Sequence, residues 1–193
     1  MTDTLSLASH GPVIPVIVLQ RVQDAVPLAE ALLAGGVKVL EVTMRTPVAL
    51  QCIEAIAKAV PEAVVGAGTI RSAADAQAAL DAGSRFAVSP GYTAEVGAAC
   101  REVGLPLLPG VATSSEVMAA MADGLRFLKF FPATAAGGIL CKPGDKLSFN
   151  VGGVPLGSSD CQSTLTIGEL AGTQTLSDAR LVNRLVFLQT LDE

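Results

Sequence analysis

Short β-rich apolar runs alternate with alanine-rich segments of helical spacing along the first 138 positions of the chain. The runs begin near Val13, Val37, Ala63, Arg85, Pro106 and Arg126, so that successive starts lie 20 to 26 residues apart. That interval fits a strand, a crossover helix and the next parallel strand. The intervening segments support the assignment. Val26 to Leu33 runs into Gly35-Gly36, and Ala73 to Leu80 into Gly83, where glycine suits a helix C-terminus. Six βα units are therefore expected.

An open doubly wound sheet and a closed barrel can both be built from such units. An open nucleotide-binding sheet would carry a glycine-rich phosphate loop after its first strand, but Val13 to Leu19 is followed by Gln20-Arg21-Val22-Gln23-Asp24. The barrel is favoured, and in a barrel the chemistry gathers at the C-terminal ends of several strands. These ends can be read together. The second run places Glu41 on the face shared by Val39 and Thr43, with Arg45 just beyond. The third ends in Thr69 after Gly66 and Gly68, the fourth in Ser89-Pro90-Gly91 and the fifth in Pro109-Gly110.

The sixth run, R-F-L-K-F-F-P-A from Arg126 to Ala133, sets a lysine among aromatic residues and leucine. Alternation along a strand puts Phe127, Lys129 and Phe131 on one face. Lys129 would then project into an apolar enclosure. Burial disfavours the ammonium form of a lysine and leaves free amine to attack a carbonyl and form a Schiff base. A lysine that carries its head to solvent from a strand end is the plainer reading. Glu41 is the candidate acid/base for carbinolamine chemistry, and a buried ion pair with Lys129 or Arg45 is its structural alternative. Arg45 offers a planar fork for a carboxylate or phosphate, and Thr69 could donate a hydrogen bond to the same anion.

Composition narrows the partners. Thirteen basic against 18 acidic side chains give a formal net charge of −5 and no basic footprint for nucleic acid. Four widely spaced cysteines and one histidine contain no metal-ligand spacing, so they are expected to be reduced thiols. The first ten residues carry an acid and no base, and no apolar run reaches membrane-spanning length. A cytoplasmic protein is expected.

The segments E-V-T-M-R-T (Glu41 to Thr46), G-A-G-T (Gly66 to Thr69), F-A-V-S-P-G (Phe86 to Gly91), P-G-V-A-T (Pro109 to Thr113) and F-L-K-F-F-P-A closely resemble the 2-keto-3-deoxy-6-phosphogluconate (KDPG) aldolases. Their wider family includes the 4-hydroxy-2-oxoglutarate (KHG) aldolases. The resemblance covers about residues 12–138. It implies a (β/α)₈ TIM barrel, usually a homotrimer, that needs neither metal nor cofactor and cleaves a small 2-keto acid. By the same resemblance Lys129 is the Schiff-base lysine and Glu41 the general acid/base. Arg45 and Thr69 bind the pyruvyl carboxylate, Pro90 joins the substrate-binding set, and Phe131 packs beside the nucleophile.

The resemblance stops after Gly137-Gly138. Twenty-eight alanines fall in the first 138 residues and two in the last 55. Two parts are therefore expected: residues 1–138 as barrel units one to six, and 139–193 as a tail in which the last two βα units are replaced, divergent or incomplete. Gly152 and Gly153 could stand in for the glycine pair that holds the substrate phosphate, and Leu185 to Leu191 for a last strand. The tail either closes the barrel with altered loops or is foreign sequence, such as a frame change would produce, and the second is favoured. The expected activity is cleavage of KDPG to pyruvate and glyceraldehyde 3-phosphate. KHG cleavage and a non-catalytic relic of the family are the alternatives.

Overall fold

In a computed structural model of the chain, the described residues are 4–11 and 13–132, with the strand segments 146–151, 154–160, 164–167, 175–176 and 188–190. A short helix α1 (Leu5–Ala8) precedes six strands that alternate with helices: β1 (Val16–Ile17), α2 (Ala25–Ala34), β2 (Val39–Thr43), α3 (Ala49–Ala59), β3 (Val64–Gly68), α4 (Ala73–Asp81), β4 (Ala87–Ser89), α5 (Ala94–Glu102), β5 (Leu107–Val111), α6 (Ser114–Ala122) and β6 (Phe127–Phe130). The strands pair in parallel in chain order from β1 to β6. These are the six βα units read from the sequence.

Local chemistry accounts for the boundaries. The side chains of Ser72, Thr93 and Thr113 cap α4, α5 and α6 by accepting hydrogen bonds from Asp75, Val96 and Glu116 N–H groups. Gly36, Gly83, Gly104 and Gly124, just past the ends of α2, α4, α5 and α6, all have positive φ, a conformation glycine adopts without a Cβ penalty. The first strand is shorter than its apolar run. Pro12 and Pro15 lack an N–H, so regular pairing starts only at Val16, while the Pro15 carbonyl still accepts from Glu41 N–H at 3.1 Å.

Alternation sorts the strand residues between two apolar layers. Leu40, Val42, Val65, Ala67, Ala87 and Leu107 pack on the helices, where α3 contributes Cys52, Ile53 and Ile56 at helical spacing. On the other face Val39, Val64, Phe86, Val88, Leu108 and Phe127 close on one another and on Leu7 and Ile14 from the N-terminal segment. The second layer makes an apolar floor within the curl of the sheet. Burial also pushes the Cys100 thiol up to about 11, in keeping with an unreactive structural cysteine.

Strands β7 (Lys146–Val151), β8 (Val154–Asp160), β9 (Thr164–Ile167) and β10 (Thr175–Leu176) pair antiparallel in an antiparallel sheet of their own. They belong to a compact unit of residues 133–185, separate from the unit formed by 1–132 and 186–193. The Leu147 to Val151 run is thus a strand, but not a barrel strand. Within the first unit, β11 (Leu188–Thr190) pairs antiparallel with β6, matching Leu188 to Lys129 and Thr190 to Phe127. A strand does lie within the expected Leu185 to Leu191 run, and it covers the outer edge of β6 in the antiparallel sense.

A capping box sets where α6 begins. Thr113 Oγ1 accepts from Glu116 N–H at 3.3 Å, and Glu116 Oε2 accepts from the N–H groups of Ala112 and Thr113 at 2.8 and 2.9 Å. Thr113→Ala is expected to lower unfolding stability by about 1 kcal/mol, read as a lower urea midpoint with an unchanged slope.

Candidate active site

Lys129 comes from the middle of β6 and Glu41 from the middle of β2, strands separated by three others in the sheet. Neighbouring strands lie about 4.8 Å apart, so a flat sheet would hold these residues about 19 Å from each other. The sheet curls instead. Lys129 Nζ donates to Glu41 Oε2 at 3.2 Å and to Oε1 at 3.3 Å, and both residues are buried, at 8% and 1% exposed. The nucleophile and acid/base candidates therefore meet across the apolar floor. The same contact is the buried ion pair that the residues alone also allowed.

Desolvation dominates the carboxylate. Burial pushes Glu41 above the ordinary glutamate range, against the pull of the Lys129 ammonium, its hydrogen bond and the more distant Arg45. The Phe131 ring closes another side of the lysine, with Nζ 5.3 Å from its centroid. Phe131 is held there by its N–H bond to the Val111 carbonyl at 3.0 Å.

Arg45 and Thr69, at the ends of β2 and β3, also come together, with Arg45 Nε donating to Thr69 Oγ1 at 3.3 Å. Thr69 has φ of +70°, the one positive-φ non-glycine among the described residues. A threonine in this region is strained, and such strain gathers at functional sites. Met44 N–H to Gly68 O at 2.8 Å and Ile70 N–H to Val88 O at 3.1 Å secure the backbone on either side. Thr43 and Thr46 hydroxyls donate to the carbonyls of Ile17 and Leu19, tying this end of β2 to β1.

Pro90 lies at the end of β4, its carbonyl packed against Gly110, where a Cβ would stand only 2.5 Å from that oxygen. Gly110 is matched to Lys129 in the β5–β6 register. The loop after Pro90 is anchored by Tyr92, whose hydroxyl donates to Asp123 Oδ2 at 2.6 Å and is pushed up to about 12 by burial and this carboxylate. Arg101 pairs with the same carboxylate at 3.0 Å. Lys129, Glu41, Arg45, Thr69, Pro90 and Phe131 thus stand on the inner face or at the ends of β2, β3, β4 and β6. Gly152 and Gly153, the candidates for the phosphate, lie outside the described residues.

Phe86 and Gly68 belong with this group, although the sequence singled out neither for the site. Gly66 and Gly68 are matched to Glu41 and Thr43 across β2 and β3. The Phe86 ring fills the side-chain space of Gly66 and the Glu41 carboxylate that of Gly68. The signal was the G-x-G spacing, which leaves two gaps on one strand face.

A family model for KDPG and KHG aldolases matches residues 5–143. This chain belongs to the KDPG and KHG aldolase family. The KHG/KDPG aldolase of Escherichia coli K12 is 51% identical over 138 residues, which make up 72% of this chain and 65% of that protein. The Zymomonas mobilis 2-dehydro-3-deoxy-phosphogluconate aldolase is 50% identical over 139 residues, 72% of this chain and 66% of that one. The match thus spans just under two thirds of these relatives' own length. Among solved structures, the Zymomonas mobilis ZM4 KDPG aldolase with 3-phosphoglycerate superposes with a TM-score of 0.68 at 49% identity, over 71% of this chain and 65% of that chain. The Legionella pneumophila KDPG aldolase, with pyruvate captured as a covalent carbinolamine, does so with 0.69 at 48% identity, over 72% and 67%.

The raised Glu41 carboxyl carries a defined pH signature. The unfolded chain titrates this group near the usual value of about 4.3, so between there and the higher native value the folded state holds the extra proton. Its contribution to stability is full below about pH 4.3 and is lost as pH rises through the native value. Lys129→Met removes the attraction that opposes desolvation, so the Glu41 midpoint should move higher still in a ¹³C carboxyl titration. A midpoint at or below that of the parent would mean that burial does not govern this group.

Proposed function

We propose that the chain is a class I aldolase for 2-keto-3-deoxy-6-phosphogluconate, a lyase releasing pyruvate and glyceraldehyde 3-phosphate. The observation that carries the reading is the buried amine of Lys129 within 3.3 Å of both carboxylate oxygens of Glu41. The names and complexes of the relatives support the substrate class. KHG is the second substrate to test, because the Escherichia coli relative carries both names.

The chemistry follows from the pair. Proton transfer from the Lys129 ammonium to Glu41 yields a free amine, which attacks the C2 carbonyl. Glu41 then returns the proton to the carbinolamine oxygen, and water leaves to give the imine. In its iminium form the imine accepts electrons. Glu41, again a carboxylate, takes the proton of the C4 hydroxyl, the C3–C4 bond breaks, and its electron pair becomes the enamine while the aldehyde departs. Protonation at C3 by the Glu41 carboxylic acid and hydrolysis release pyruvate and restore both groups. Arg45, with Thr69 beside it, holds the substrate carboxylate. Pro90 and Phe131 limit the space around C2, and the apolar floor keeps bulk water from the enamine.

The wider reading assigns the barrel units to residues 1–138 and a divergent segment to 139–193. It also takes the protein as a cytoplasmic homotrimer with no nucleic-acid or membrane partner. Sedimentation and fractionation test these points. Among the described residues no helix is long and apolar enough to cross a membrane.

Borohydride added with pyruvate should leave a stable adduct on Lys129, identified by peptide mass, and Lys129→Ala should abolish it. No adduct on the parent chain would overturn the aldolase assignment. Glu41→Gln should retain part of the trapping and slow cleavage by about two to four orders of magnitude. Arg45→Lys replaces a two-pronged contact by a point charge, so it should weaken pyruvate capture without loss of folding. Capture equal to the parent's would remove Arg45 from the site.

A further inference from the structure

We infer that Gly68 is a positioning residue for Glu41: its bare Cα leaves the space in which the Glu41 side chain lies on its way from β2 to Lys129. The catalytic consequence rests on the aldolase reading, whereas the placement does not. A Cβ on Gly68 would overlap Glu41 Oε1 and stand 2.8 Å from Cγ and 2.9 Å from Cδ. Carbon atoms in contact prefer about 3.5 to 4.0 Å. Something must move.

The backbone does not demand glycine here. Among the described residues the positive-φ glycines are Gly11, Gly36, Gly83, Gly104 and Gly124, and Gly68 is not one of them. Its φ is open to any residue, so the requirement for glycine comes from the Glu41 side chain. Gly68 is matched to Thr43 of β2 on one side and Val88 of β4 on the other, and its carbonyl accepts from Met44 N–H. A sheet strand held on both edges does not yield to one methyl group.

The carboxylate has one direction of escape. Below it, the space beside Gly66 is taken by the Phe86 ring, which would stand 2.5 Å from a Cβ there. Phe86 is itself fully buried. An added methyl at residue 68 would therefore lift Glu41 toward the open C-terminal end of the strands, away from the amine and into water. Proton transfer at C3 suffers most, because it depends on where the carboxyl stands. Imine formation depends chiefly on Lys129.

The test compares Gly68→Ala, Glu41→Asp and the double variant with the parent. In Gly68→Ala the ¹³C titration of Glu41 should fall toward the ordinary carboxylate range. Exchange of the pyruvate methyl protons with D₂O should slow by about 10² to 10⁴, with borohydride trapping on Lys129 changed less than about tenfold. The aspartate is shorter by one methylene, so adding Glu41→Asp to Gly68→Ala should cost less than adding it to the parent. An unshifted Glu41 titration in Gly68→Ala, or additive losses in the double variant, would overturn the inference. If the parent traps no pyruvate, the aldolase reading fails while the titration still decides the placement. If Gly68→Ala does not fold, restoration of folding by Glu41→Asp supports the inference and continued misfolding refutes it.

Discussion

One buried ion pair constrains the rest of the first unit. Lys129 and Glu41 are 88 positions apart and belong to strands that do not pair, yet their charged atoms meet at 3.2 Å. Two charges withdrawn from water are tolerated only when paired closely, and even then their attraction barely offsets the lost hydration. The sheet must curl to bring them together. The curl is stabilised by apolar contacts on both faces, with helices outside and Phe86, Leu108 and Phe127 within. In effect the apolar packing holds a polar pair that would not assemble by itself.

The end of the site that holds Arg45 and Thr69 is made differently. Arg45 and Thr69 are near the surface, and their alignment comes from backbone constraint: a strained threonine between two regular ladder hydrogen bonds. The Lys129 end is shaped by burial, the Arg45 end by backbone constraint. Both lie at strand ends, so one scaffold positions them together.

The family match ends at residue 143, soon after β6. An unpaired edge beside Lys129 would expose backbone donors and acceptors to any passing strand. Here β11 lies against it, antiparallel, from within the same compact unit. The edge is satisfied by a short strand in the opposite sense, while the other tail strands form an antiparallel sheet of their own.

Much of the first unit was legible in the sequence because its signals are local. The β-rich runs and the glycines past the helix ends each act within a few residues, and they marked six βα units, while alternation along the sixth run marked the inward face of Lys129. Lys129 stood out because charge conflicts with its aromatic neighbours. Glu41 stood out as a charge inside a strand. What local pattern cannot carry is which distant residues meet. Only the curl of the sheet decided that Glu41 pairs with Lys129, and only the β2–β3 register that Arg45 reaches Thr69 and that the gap at Gly68 is filled from the neighbouring strand. The tail shows the same limit. Its apolar runs signal strands, but the direction and partner of a strand depend on the connection and on the edge available, so tertiary structure alone made β11 antiparallel and gave β7 to another sheet.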